Sequence, residues 1–140
     1  MSNFAVFMAG ATEKETVKYV ASKRFAVKGK PVEWEIKPID SDLDEAIRKE
    51  CTKKVPVPGK RGQFNQETDT DKYIGKMCVA CTVYPNLNDA ELQDSYGVKG
   101  ADALLKKMLL PGEYTEYKAK VMEVNGYDMS MEELVDEAKN

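Results

Sequence analysis

Val17-Lys18-Tyr19-Val20-Ala21-Ser22-Lys23-Arg24-Phe25-Ala26-Val27 and Val32-Glu33-Trp34-Glu35-Ile36 flank one break, Lys28-Gly29-Lys30-Pro31. Before the break Val17, Tyr19, Ala21, Phe25 and Val27 alternate with Lys18, Ser22, Arg24 and Lys28. After it Val32, Trp34 and Ile36 alternate with Glu33, Glu35 and Lys37. A period of two sends successive side chains to opposite faces of a strand. Residues 16–39 are therefore predicted as a β-hairpin with one apolar face, carrying the only Trp, and one charged face. Lys and Glu on the outer face oppose edge-to-edge pairing.

Beyond Pro38 the period becomes helical. Ser41 with Asp44 suits a helix start, and Leu43, Ala46, Ile47 and Cys51 share one face. Val55-Pro56-Val57-Pro58-Gly59 ends that helix and opens an exposed basic loop holding Lys53, Lys54, Lys60 and Arg61. A second helix, starting near Thr68 or Asp69, buries Tyr73, Ile74, Met77, Cys78, Cys81 and Tyr84 and stops before Pro85. Asn88 with Glu91 caps a short helix ending at Tyr96-Gly97, and Leu104, Leu105, Met108 and Leu109 set a further core stripe. Pro111 suits the first turn of the next helix, which carries Tyr114, Tyr117, Val121 and Val124 and is closed by Asn125-Gly126. Ser130-x-x-Glu133 reads as a capping box with Met129 and Leu134 as its staple. The expected fold class is α+β: an N-terminal antiparallel β-hairpin against about five or six short helices, mainly helical. At 140 residues the chain is expected to be a single domain: an apolar N-terminal segment (1–15), the hairpin (16–39) and a helical part (40–140).

Composition narrows the chemistry. The chain has no His, which removes the usual general base, the commonest zinc ligand and the one side chain titrating unperturbed near neutrality. No catalytic residue, cofactor or metal is expected. Net charge is −3, but residues 18–61 hold twelve Lys/Arg against seven Asp/Glu, whereas residues 111–140 hold three Lys against eight acids. Such a dipolar chain can attract copies of itself or a mixed-charge partner. Phe4 to Ala11 is apolar but has no basic flank and is closed by Glu13, Lys14 and Glu15, too short to span a bilayer. A cytoplasmic location with reduced Cys and no membrane partner follows as an expectation. The apolar segment either tucks onto the core or is offered to a neighbouring subunit.

Cys78-Val79-Ala80-Cys81 matches C-x-x-C. A redox dithiol generally sits at a helix N-terminus, where the dipole lowers the thiol pKa. Here both Cys fall inside a predicted helix, where burial raises it, and no second ligand pair offers a zinc site. The alternative function kept beside the main one is a small cytoplasmic redox or metal-binding protein using Cys78 and Cys81. A third, nucleic-acid binding by Lys53 to Arg61, has one nearby aromatic (Phe64) and no reader motif. Asp42/Asp44 and Asp69/Asp71 sit at helix starts, where capping accounts for them.

Seven Tyr and seven Met remain, and Tyr and Met favour adaptable protein-binding surfaces. The candidate partner-binding residues are Tyr96, Leu109, Leu110, Tyr114 and Tyr117, gathered around Pro111, with Leu104, Leu105 and Met108 assigned to the core.

Four stretches go beyond residue physics. They are Ser22-Lys23-Arg24-Phe25 with Pro31 to Ile36, Arg48 to Pro56, the run Val79 to Val98 (Val-Ala-Cys-Thr-Val-Tyr-Pro-Asn-Leu-Asn at its start), and Leu104 to Tyr114. Together they resemble the XkdN-like family of phage tail assembly chaperones, as found in PBSX-type prophages, over about residues 20 to 127. The resemblance implies a non-enzymatic role in tail assembly. It implies that the chain binds the tape-measure protein, keeps it soluble, helps recruit tail tube subunits, and is absent from the mature virion. It further implies self-association into spiral oligomers and, in some relatives, a longer frameshifted form.

Overall fold

A computed structural model describes residues 3–127. Two 3-10 turns, Asn3–Phe7 and Ala9–Ala11, precede the first strand. Strand β1 (Val17–Tyr19) pairs antiparallel with β4 (Trp34–Ile36), in the register Val17↔Ile36, Lys18↔Glu35 and Tyr19↔Trp34. Between them, β2 (Ala26–Val27) and β3 (Lys30–Pro31) form a small separate ladder. Lys28 (φ 52°) and Gly29 (φ 79°) both take the left-handed region, as a two-residue hairpin turn matched to strand twist requires. The predicted hairpin is thus present but bent in two. Its tip leaves the core, and Val27, expected on the apolar face, is 63% exposed.

A third strand, β7 (Thr82–Tyr84), joins the other edge of β4, giving the order β1-β4-β7. Glu35 faces Tyr84 and Ile36 faces Thr82, so β7 carries one extra residue at a bulge. On the outer face Lys18, Glu35 and Tyr84 stand in cross-strand file. On the inner face Trp34 and Ile36 are buried. Sequence reading placed Tyr84 in the second helix. The structure corrects this: the chain leaves the helix at Cys81, and Tyr84 lies half-exposed on an edge strand.

The helices are α1 (Ser41–Glu50), α2 (Thr70–Cys81), α3 (Ala90–Ser95), α4 (Ala101–Met108) and α5 (Pro111–Val124). Starts follow local chemistry. Asp69 caps α2 by accepting from Lys72 N (3.2 Å), and Asp89, rather than Asn88, caps α3 by accepting from Leu92 N (2.8 Å). Asp40, rather than Ser41, holds the N-cap position of α1, with no side-chain cap. Pro111 opens α5, and Gly126 (φ 94°) closes it. The Ser130-x-x-Glu133 box lies outside the described residues.

The region between α1 and α2 departs most from expectation. Instead of a loop, β5 (Thr52–Pro56) and β6 (Phe64–Thr68) form a two-stranded ribbon, paired from Thr52↔Thr68 to Pro56↔Phe64. Its tip turns through Gly59 and Gly62, both at φ 76°. Every residue of β6 is exposed. With no buried face there is no apolar alternation to read, which is why the pattern looked like loop.

Helix α2 runs through the centre, with Tyr73, Gly75, Met77, Cys78 and Cys81 buried. Met77, Cys78 and Cys81 meet α4's Leu104, Leu105 and Met108 and α5's Tyr117 and Val121 in one core cluster. Sheet and helices join through aromatics: Tyr117 packs edge-on to Trp34 at 5.3 Å and lies 6.0 Å from Tyr19. Such pairs add about 0.5–1.5 kcal/mol beyond burial. Asn125 ties three segments, accepting from Ile39 N (3.0 Å) and donating to Val121 O (2.8 Å) and Cys81 Sγ (3.2 Å).

Candidate functional site: an apolar groove between three helices

The residues expected to bind a partner do not form one surface. Tyr117 is fully buried, with its hydroxyl 2.6 Å from Thr82 Oγ1, and burial pushes its pKa far up. Leu109 is buried as well. Both are corrected to core residues, because the α4–α5 corner folds back onto the sheet rather than outward. Arg24 clamps that corner from the hairpin side, donating to Met108 O (2.6 Å) and to Glu113 Oε1 (3.2 Å). Glu113 also accepts from Leu110 N (2.8 Å), and this backbone bond leads the causes holding its carboxyl below the usual range. Tyr96 and Tyr114 are half-buried against the core, with the Tyr114 hydroxyl close over Gly75. Leu110 alone of the five is well exposed.

The C-x-x-C is equally internal. Cys78 and Cys81 are both solvent-inaccessible free thiols. Burial, helped by Cys81, pushes Cys78 up to about 12; burial also raises Cys81, against the opposing bond from Asn125. A thiolate is the form that attacks or ligates, so this placement disfavours both uses. Among the described residues, no cluster of three or more metal-ligating side chains occurs. The paired acids at helix starts divide: Asp69 caps, but Asp44 instead bonds the Tyr73 hydroxyl and Arg48 Nε (3.4 Å). Arg48 also donates to Tyr73 Oη (3.1 Å) and lies 4.4 Å over its ring, so the trio fastens α1 to α2.

The open apolar surface lies on the other flank of α1. Leu43, Ile47 and Glu50 from α1, Lys76, Val79 and Ala80 from α2, and Ala101 and Asp102 from α4 line a groove of about 280 Å³. Each helix contributes one stripe, at i, i+4, i+7 on α1 and i, i+3, i+4 on α2. Leu43, expected on one apolar face with Ala46, Ile47 and Cys51, is 45% exposed here. Small side chains at Ala80 and Ala101 keep the floor open. The Glu50–Lys76 ion pair (3.0 Å) bridges the rim and holds the ammonium protonated. The sequence signal for this face was Met77-Cys78-Val79-Ala80-Cys81, apolar around the whole helix and so too wide for one core contact.

The second open apolar feature is the N-terminal segment. Phe4, Val6, Phe7 and Met8 are 63–75% exposed, so it is not tucked onto the core. Lys14 pairs with Asp40 and fixes its root beside the start of α1.

The chain is thus a small α+β protein whose three Cys are buried and whose open features, among the described residues, include an apolar groove and an apolar N-terminal segment. The chain matches the model of the phage XkdN-like tail assembly chaperone proteins over residues 4–139, and it belongs to that family. It is 31% identical to the phage-like element PBSX protein XkdN of Bacillus subtilis (strain 168), with 99% of this chain and 94% of the relative aligned. It is 35% identical to the uncharacterized protein YqbN of the same organism, over 99% and 93% of the two chains. The crystal structure of YqbN superposes with a TM-score of 0.76 at 30% identity, covering 91% of this chain and 99% of that one. The expected α+β architecture and the family resemblance therefore both hold. Among the described residues no helix is long and apolar enough to cross a membrane.

Proposed function

We propose that this tail assembly chaperone acts by binding the tape-measure protein, without catalysis, and that the groove between α1, α2 and α4 takes an amphipathic helix of that partner. The observation that carries the reading is the groove's form: an apolar floor with a charged rim on three rigid helices, in a chain of this family. A helix laid into such a groove is held by residues at i, i+3, i+4 and i+7. Binding keeps the long partner soluble in the host cytoplasm, helps recruit tail tube subunits, and ends before the virion is complete. Copies of the chaperone also associate with one another, and the split between a basic middle and an acidic end favours that contact.

Co-expression with the tape-measure protein of the same tail tests this. The partner should stay soluble and co-purify, and Ala80→Glu, which places a charge on the groove floor, should abolish retention while the far-UV spectrum stays unchanged. A tape-measure protein that remains insoluble beside folded chaperone would remove the reading.

A further inference from the structure

We infer that, within a single copy, the acidic C-terminal segment, residues 128–140, lies along the basic β5–β6 ribbon. This rests on the reading that the basic middle and the acidic end attract. It names the regulation of that contact: a ribbon held by its own chain is closed to a second copy. From Thr52 to Thr68 the ribbon carries Lys53, Lys54, Lys60 and Arg61 against Glu67 alone, all of them exposed. Among the described residues none of these four cations has an ion-pair partner. Side chains alternate between the two faces of the ribbon, so Lys53 shares a face with Glu67, its cross-strand neighbour. On the opposite face Lys54 stands beside Gln66 and the pair Pro56↔Phe64, with Phe64 57% exposed. That face offers positive charge next to an apolar patch and has no acid of its own.

Charge and position select the occupant. Residues 128–140 carry Asp128, Glu132, Glu133, Asp136 and Glu137 against Lys139. Met131, Leu134 and Val135 recur among these acids at i, i+3 and i+4, so an apolar stripe meets Phe64 while carboxylates meet Lys54 and the ribbon tip. The segment departs from a point close to the ribbon. Tyr127 lines a small cleft with Asp40 and Asp44. Asp44 bonds Arg48 Nε (3.4 Å), and Arg48 O accepts from Thr52 Oγ1 (2.7 Å) at the ribbon's root. The middle of the ribbon lies roughly 20 Å from Asp44 at the rises of a helix and a strand. The thirteen residues of the segment span about 43 Å extended, so they reach it with length to spare. One exposed ion pair contributes little, but several on a short tether meet at an effective concentration on the order of millimolar. A second copy in dilute solution is far below that.

The test treats the full chain, as an equal mixture of unlabelled and isotope-labelled copies, with a zero-length carbodiimide that joins an amine to a carboxylate in contact with it. Links from Lys54 and Lys60 to the acids of 128–140 should form with both peptides from one isotope, at a yield independent of protein concentration. The Glu50–Lys76 pair (3.0 Å) supplies a reference link whose distance the fold sets. Relative to that reference, Lys54→Glu should lower the Lys60 links about two- to fivefold, the range for one exposed ion pair. Lys54 is exposed, so folding should be retained; Lys54→Gln serves should Lys54→Glu unfold. Salt at about 0.5 M should remove the ribbon links and leave the reference. Ribbon links with isotopes scrambled at random should join only as protein approaches about millimolar. Scrambled links in dilute protein overturn the contact within the chain and leave attraction between copies standing. No ribbon link of either kind overturns both. Single-isotope links indifferent to salt and to Lys54→Glu overturn the charged contact proposed here.

Discussion

Cys78 and Cys81 show how placement settles the chemistry of a residue type. Both sulfurs are solvent-inaccessible, Cys81 with a bond from Asn125 Nδ2, and burial leads the causes that raise both thiols. Native protein should therefore label with an aromatic disulfide reagent only as fast as it unfolds, whereas denatured protein should label at all three Cys. Rapid labelling of folded protein would reinstate the dithiol reading. Cys78→Ala and Cys81→Ala should each cost about 1–2 kcal/mol in urea unfolding, the loss of one buried group and its cavity, with partner binding intact. Tyr117 teaches the same lesson. Its phenol bonds Thr82 Oγ1 and its ring packs edge-on to Trp34, so a residue type favoured at interfaces serves the core instead.

Elements depend on their ends. Helix α2 carries the groove's central wall, and Asp69 holds its first turn both through the side-chain cap and through Asp69 N donating to Cys51 O (2.8 Å). Asp69→Ala removes only the cap, and should cost about 1 kcal/mol and lower Tm by about 2–5 °C. Ser41→Ala, at a position the sequence suggested as a cap, should stay within about 0.5 kcal/mol of wild type, because the structure puts Asp40 there and gives it no side-chain bond. Calorimetry of the pair separates the two assignments. The β5–β6 ribbon is the opposite kind of element. Its ladder is complete from Thr52↔Thr68 to Pro56↔Phe64, but no residue of β6 and none of β5 beyond the part-buried Thr52 and Val55 is covered by the described residues, and an isolated ribbon is marginal in water. Its root is held where α1 ends and α2 begins.

For the molecule as a whole, stability should be flat through neutrality and fall in alkali. No His titrates between about pH 6 and 8. In the unfolded chain a Cys ionises near 9.0 and a Tyr near 10.0, whereas burial in the folded state raises Cys78 and Tyr114 to about 12 and raises Tyr73 and Tyr117 further still. The folded pKa lies above the unfolded one. The stability linked to these groups is thus complete below about pH 9 and is lost as pH rises toward the folded values. Urea midpoints measured from neutral pH to about pH 11 should decline only above pH 9. A midpoint that is flat to pH 11 would mean these phenols are not buried.

Much of the architecture could be read from local pattern. The alternation over 16–39, the five described helices, Pro111 at a helix start and Gly126 past a helix end all depend on residues within a few positions of one another. Backbone sterics and hydrogen bonding act over that same range. The family resemblance was legible too, since it rests on long strings of residues. The groove was not, because its three stripes come from helices up to sixty residues apart, and an alanine reads the same on a floor or in a core. Nor were the ribbon, with no buried face to leave a pattern, and β7, three residues that pair only because β4 lies beside them. Tyr117 inward and Leu43 outward were choices of packing. Which apolar side chains face water depends on how helices and sheet stack, and that stacking is a property of contacts between distant parts of the chain.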